Sequence, residues 1–250
     1  MWNKIQSICR ELSQITYENL TKIIRYADSG DARRARIADD SFQNDADAWM
    51  GGGTCFSMTW HLYQKLIAEG LTPRLMMGHK RKEKNIHCGL RLFFEGKNYF
   101  FDPGYLIFEP LEMPESFLTA KSSAFFPLTP NQVRLDRENG VLSLFTGMNL
   151  HSMKLRFEFP EEGVEERDFH RFWTESFDRE MMTYPVLNRL DRENGIQYYY
   201  QKGNLMTRDR SGSRMEKIPE EQQIAVLSRL FSLSPDTVER ALTILKTKSF

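Results

Sequence analysis

The chain has 250 residues with 34 basic side chains against 34 acidic ones, so no net charge draws it to nucleic acid or to a charged membrane surface. Its hydrophobic share, 40%, is that of an ordinary globular protein. No run of about 18 apolar residues is present to cross a bilayer. Three cysteines, Cys9, Cys55 and Cys88, are odd in number and lack metal-ligand spacing, which points to a reduced, cytoplasmic protein without a metal.

Residues 1–28 read as helix, amphipathic through Trp2, Ile5, Ile8 and Leu12, with a break around Thr16–Leu20 and a turn at Asp28-Ser29-Gly30-Asp31. Residues 31–50 are polar and charged with few apolar anchors, and are expected at the surface or in a mobile segment. Gly51-Gly52-Gly53-Thr54-Cys55-Phe56 follows, and it organises the rest of the chain. The glycines allow a sharp turn and close backbone approach. Thr54 is placed to cap the next helix, whose apolar face is Phe56, Trp60, Tyr63 and Ile67 and whose stop is Gly70. Cys55 then lies in a helical first turn, where the positive end of the macrodipole favours thiolate. Such a cysteine is either a nucleophile or a buried free thiol behind a glycine turn.

Leu71–Met77 reads as a strand, and Lys80-Arg81-Lys82-Glu83-Lys84 as a basic loop, either solvated or attracting a phosphate-bearing substrate. Ile86–Phe94 and Tyr99–Phe101 form a hairpin around Glu95-Gly96-Lys97-Asn98. Pairing Phe94 with Tyr99 sets Asp102 opposite Arg91, on the face of His87 but roughly 13 Å along the strand. Twist, a bulge or an unpaired strand start must then bring His87 and Asp102 together. Cys88, next to His87, points to the opposite face and is expected to pack. Glu109–Pro130, with four prolines, reads as an irregular connection before a strand-rich block over residues 132–159. The heptapeptide Arg134–Gly140 recurs as Arg189–Gly195, and both copies read as Asn-Gly hairpin turns. A helix-like segment spans 164–184, hairpin strands cover Ile196–Tyr200 and Gly203–Thr207, and two helices close the chain.

Cys55, His87 and Asp102 supply a nucleophile, a base and a group to orient the base. Their setting resembles that of the arylamine N-acetyltransferases. Gly52-Gly53-Thr54-Cys55-Phe56 is similar to that family's Arg-Gly-Gly-x-Cys-Phe-Glu motif. His87, with Glu95–Gly104 after it, is similar to the family's histidine strand and its Asp-Gly-x-x-Tyr-x-x-Asp-x-Gly stretch. Ile15-Thr16-Tyr17-Glu18-Asn19-Leu20 resembles Ile-Pro-Phe-Glu-Asn-Leu, and Gly203–Thr207 and the final helices fit more loosely.

The resemblance implies an α+β fold with a papain-like cysteine-proteinase core. Residues 1–70 would be a helical segment with the nucleophile, 71–163 an antiparallel β-barrel with His87 and Asp102, and 164–250 an α/β lid. It further implies ping-pong acyl transfer from acetyl-CoA or another acyl-CoA, through Cys55, to an arylamine, hydrazine or related amine. Cys55, His87 and Asp102 would be catalytic, and Phe56, Gly104 and Tyr105 would meet substrate. The partners would be the thioester and the small amine, with no nucleic acid, membrane or metal. Two alternatives use the same triad: an amide synthase fed by a carrier-bound thioester, and a transglutaminase- or protease-like hydrolase. Here the motif's arginine is Gly51, its glutamate is Ser57, the asparagine four residues after the cysteine is Thr59, and Pro103 follows the aspartate. Losing both charges of the motif together suggests a lost ion pair.

Overall fold

The computed structural model describes residues 1–36, 42–44, 46–47, 51–115 and 121–247. Three layers build it. The helices α1 (Trp2–Leu12), α2 (Leu20–Ser29), the one-turn α3 (Ala32–Ala35) and α4 (Cys55–Ala68) come first in the chain. Much of the polar 31–50 stretch lies outside the described residues. Within it, Asp31 caps α3 through two backbone N–H groups, and Phe42 is buried with its ring stacked on His61.

The middle layer is an antiparallel, barrel-like sheet. Its strands are β2 (Arg74–Lys80), β3 (Glu83–Phe94), β4 (Lys97–Asp102), β5 (Ile107–Glu112), β6 (Ser122–Phe126), β7 (Gln132–Glu138), β8 (Val141–Gly147) and β9 (Lys154–Pro160). Their order is β5-β4-β3-β2-β9-β8-β7-β6. Two of these strands, β5 and β6, fall in the stretch expected to be irregular. The prolines do not prevent them because Pro110 is half-buried within β5 and the others lie at strand ends or between strands.

The last layer is a second sheet, ordered β1-β10-β11-β12-β13, in which β1 is Tyr17–Glu18. The others are β10 (Val186–Asp191), β11 (Ile196–Gln201), β12 (Asn204–Arg208) and β13 (Ser213–Lys217). Three further helices complete the chain: α5 (Glu166–Glu175), α6 (Gln223–Phe231) and α7 (Pro235–Thr247). The first and last layers interlock. Tyr17 and Glu18 register with Asn188 and Leu187, and Asn19 binds the backbone of Met181, Tyr184 and Val186.

Strand alternation sorts the core. Cys88, Leu90, Leu92 and Phe101 face the helices, while Met76, Phe100, Leu135, Leu144 and Phe159 fill the barrel. A third cluster packs Leu20 and Ile24 of α2 against Tyr200, Phe231 and Val238. The two heptapeptide copies form different turns. Asn139-Gly140 makes a two-residue turn between Glu138 and Val141, whereas residues 192–195 form a four-residue loop between Asp191 and Ile196. In the second copy Asp191 accepts from the backbone and side-chain nitrogens of Asn194, which closes the longer loop. Among the described residues no helix is long and apolar enough to cross a membrane.

Candidate active site

The glycine run is fastened to the segment before α2. Gly52 N–H donates to Thr16 O at 2.9 Å, and Glu18 N–H donates to Gly53 O at 2.9 Å. A Cβ on Gly52 would stand 2.5 Å from Ile15 Cγ2, and one on Gly51 2.7 Å from Glu18 Oε1. A side chain at Gly51 or Gly52 would meet the Glu18 carboxylate or the Ile15 side chain, and Gly53 takes a positive φ of 68°. Glu18, fully buried, accepts from Gly53 N–H at 2.8 Å and from the backbone and hydroxyl of Thr21. Its carboxylate stands where a Gly51 side chain would go and is held by neutral donors. Ser57 donates to the carbonyls of Gly52 and Thr54 at 2.8 and 3.0 Å, tying the turn to the helix.

Thr54 is the N-cap residue of α4, but its side chain makes no capping bond. Side-chain capping by Thr54 is thus not what starts this helix. The helix-start N–H groups, Cys55 N–H among them, keep their positive field for a thiolate or a developing oxyanion instead. Burial also differs from a single apolar face. Cys55 through Leu62 are all buried, because α4 lies between β3 and α5, while Ile67 stays exposed. Phe56 packs on Phe169 and Trp173, with ring centroids 5.4 and 6.3 Å away. It is a core residue and is not part of the lining of the cavity that Tyr105 borders.

His87 and Asp102 meet because the hairpin turn is shorter than the four residues Glu95–Asn98. Glu95 and Gly96 alone form it, both with positive φ, so Phe94 pairs with Lys97 and Phe101 with Leu90. Asp102 is thereby carried two residues closer to His87, into diagonal reach. The β4–β5 ladder slips beside it, since Phe100 registers with Leu111 but Asp102 with Ile107, so the extra residues lie on β5. His87 Nε2 lies 2.8 Å from each Asp102 oxygen. Asp102 Oδ1 also accepts from Tyr105 N–H at 2.9 Å, fixing the turn Pro103–Tyr105. With Nε2 committed to Asp102, Nδ1 is the nitrogen left for Cys55. The imidazole is clamped by Phe157, stacked at 4.2 Å and 15°, and by the edges of Phe159 and Tyr105.

Gly104 closes the site. A Cβ there would stand 2.9 Å from Cys55 Cα and 3.0 Å from His87 Cε1, so only glycine lets the turn press on both. Tyr105, with its centroid 6.2 Å from that of His87, lines a cavity together with Thr146, Asn131 and Gln197.

The electrostatics favour an ion pair. The Cys55 thiol is pushed down to about 5, first by a hydrogen bond from Cys88 and, against its own burial, by His87. Burial of His87 favours the neutral ring, yet Asp102 and then the Cys55 thiolate hold it up at about 10. Cys88 was expected only to pack. It does point away from the barrel, as alternation requires, but that face meets α4, and from there Cys88 acts to lower the Cys55 thiol. Burial and the Cys55 thiolate push the Cys88 thiol well up, so it keeps its proton. Two more neighbours were missed in the sequence. Burial and then the Cys55 charge raise the Tyr17 phenol well above its ordinary value. Burial lowers Lys22 to about 7, opposed by the Cys55 thiolate, while its ammonium donates to Ser176 O and Oγ at 2.9 and 2.7 Å. Both precede the glycine run, Tyr17 in the Ile15–Leu20 stretch that resembled the family motif and Lys22 in the helical segment after it, and neither was read there as a neighbour of Cys55.

No protein-family model matches the chain, and no curated protein matches it in sequence. Solved structures do. The arylamine N-acetyltransferase of Mycobacterium marinum superposes with a TM-score of 0.79, covering 100% of this chain and 94% of its own at 16% identity. This is the arylamine N-acetyltransferase fold. The Mycobacterium marinum arylamine N-acetyltransferase in complex with CoA also matches, at TM-score 0.75 and 17% identity, covering 100% of this chain and 94% of its own. So does a Bacillus cereus arylamine N-acetyltransferase with a Cys-His-Glu catalytic triad, at TM-score 0.70 and 16% identity, covering 94% and 92% of the two chains. The α+β architecture agrees with the fold that the resemblance implied.

Proposed function

We propose that the chain is an acyltransferase that moves an acetyl or other acyl group from a CoA thioester, through Cys55, to an arylamine, hydrazine or related amine. The observation that carries this reading is the linked, buried set Cys55–His87–Asp102, with the thiol at about 5 and the imidazole at about 10. Between those values the resting pair is thiolate and imidazolium. The likeness to arylamine N-acetyltransferases, one of them in complex with CoA, supports the donor class.

The thiolate attacks the thioester carbonyl, and the oxyanion forms beside the Cys55 N–H at the start of α4. The C–S bond to CoA breaks, and the imidazolium proton goes to the departing thiolate. Cys55 is then acylated and His87 neutral. Neutral His87 next takes a proton from the attacking amine, the amide forms, and Cys55 leaves as thiolate beside a restored imidazolium. Asp102 compensates the imidazolium charge in both halves and fixes which ring nitrogen faces the sulfur. Cys55, His87 and Asp102 act chemically, and Gly104 and Tyr105 shape the space around the acyl group.

Intact-protein mass after mixing with acetyl-CoA and longer acyl-CoAs, beside Cys55→Ala, tests this. The expected result is an acyl adduct that requires Cys55 and is discharged by an arylamine or hydrazine. No adduct with any acyl-CoA, while iodoacetamide still labels Cys55, would overturn the CoA donor. An adduct lost as quickly in water as with amine would replace transfer with hydrolysis.

A further inference from the structure

The β8–β9 ladder slips between Leu144 and Phe145. Leu144 registers with Phe157 and Phe145 with Leu155, which leaves Arg156 as an extra residue. A bulge of this kind re-aims a side chain. Here Arg156 and Phe157 both reach Tyr105. The Phe157 ring meets Tyr105 edge-on at 6.0 Å, and the Arg156 guanidinium carbon lies 6.0 Å from the Tyr105 centroid. Arg156 Nε donates to Thr146 Oγ1 at 2.7 Å, which fixes the fork, and no acceptor in the described residues meets its two Nη groups.

A second arginine approaches from the other sheet. Arg208 of β12 donates through Nη1 to Asn131 Oδ1 at 2.8 Å, through Nε to Ser213 Oγ and through Nη2 to Met206 Sδ. All three acceptors are neutral. Thr146 and Asn131, the anchors of the two arginines, line one cavity with Tyr105, whose ring abuts His87. Among the described residues neither arginine is in an ion pair with a carboxylate. Asp209, next to Arg208, is consumed by Ser211 and Gly212. Two fixed guanidinium groups beside one cavity, without a counter-charge, are an incomplete ion cluster that a planar or tetrahedral oxyanion completes.

We infer that Arg156 and Arg208 form an oxyanion subsite beside Tyr105, which takes the carboxylate of an acidic aromatic amine or a phosphate of the thioester donor. The inference rests on the acyl-transfer reading for its substrates, but binding is read without turnover. The assay is protection of Cys55 from iodoacetamide. One arm compares 4-aminobenzoate with the neutral 4-aminobenzamide, and the other compares S-ethyl-CoA with phosphate-free S-ethylpantetheine, thioethers that cannot acylate Cys55.

The expected result is that at least one anionic member protects about tenfold more tightly than its neutral partner, as charge-assisted arginine bonds allow. Arg156→Gln and Arg208→Gln should each remove most of that preference and leave the neutral ligand unchanged. Preference confined to the first arm identifies a carboxylate, and preference confined to the second a phosphate. Raising ionic strength on the unaltered protein, which does not depend on the variants folding, should weaken only the anionic ligand. Equal protection by both members in both arms, or equal weakening of both by the substitutions, would overturn the inference. Failure of acyl transfer would instead show as a missing mass adduct and leave this result readable.

Discussion

Cys88, one strand position from His87, is buried with Cys55 on the side of β3 that α4 covers, and it is the foremost influence lowering the Cys55 thiol. Because Cys88 holds its proton, its S–H stabilises negative charge on Cys55 without competing as a nucleophile. It is a positioning residue, and its effect is readable as a titration.

Cys88→Ala should raise the inflection in the pH dependence of Cys55 alkylation above the value of about 5 to which Cys88 and His87 push the thiol. The sign follows from which form is bonded: losing a donor to the thiolate disfavours the charged form, so more alkaline solution is needed to ionise Cys55. One hydrogen bond to a charged group is worth about 1.5 kcal/mol, which corresponds to roughly one pH unit. Cys88→Ser, which keeps a donor, should restore the low inflection, whereas a merely space-filling Cys88 would give identical titrations in all three proteins.

Gly104→Ala should slow Cys55 alkylation and destabilise the fold by about 1–3 kcal/mol, the usual cost of forcing atoms into a packed site. The new methyl group would press on Cys55 Cα at 2.9 Å and His87 Cε1 at 3.0 Å. The backbone of Cys55 cannot withdraw without disturbing the start of α4, so the turn that carries Asp102 must move. Urea unfolding and iodoacetamide kinetics check the two effects separately. A variant with native alkylation kinetics would show that the turn can retreat while Cys55, His87 and Asp102 stay in place.

Cys55 was legible as a candidate because a glycine run ahead of a helix marks a tight turn and close packing, which Gly53 meets with a positive φ and Gly52 by lying against Ile15. The link between His87 and Asp102 was legible only as a pair of residue types. Its geometry depended on whether Glu95-Gly96 turned the chain alone or with Lys97-Asn98, and a two-residue difference in turn length moves Asp102 by a full strand repeat. Alternation assigned Cys88 to the correct face but could not say that α4 covers that face. Arg156 was hidden for a related reason: a bulge breaks the period-two pattern from which side-chain direction is read. Phe56 and Ile67 show the opposite error, since helical spacing marks apolar positions without telling a core contact from a rim.

Glu18 connects the segment before α2 to the glycine run that precedes Cys55, and its removal should be felt at both. Glu18→Ala leaves Gly53 N–H and Thr21 N–H without acceptors in a site with no access to water. At about 1–3 kcal/mol for each orphaned donor, unfolding in urea should show a loss of roughly 2–6 kcal/mol. Cys55 alkylation should slow as the glycine run loosens. Glu18→Gln retains an acceptor and should lose less. The difference between native and Gln proteins should also depend on pH. Burial raises the Glu18 carboxyl above its ordinary 4.5, against the opposing effect of its hydrogen bonds. The folded state therefore holds this proton more tightly than the unfolded chain. The stability contributed by Glu18 is fully present below 4.5 and declines as pH rises toward the folded value. The Gln variant should accordingly gain on the native protein as pH increases over that range. A difference that stays constant with pH would mean that Glu18 ionises as freely in the fold as in the unfolded chain.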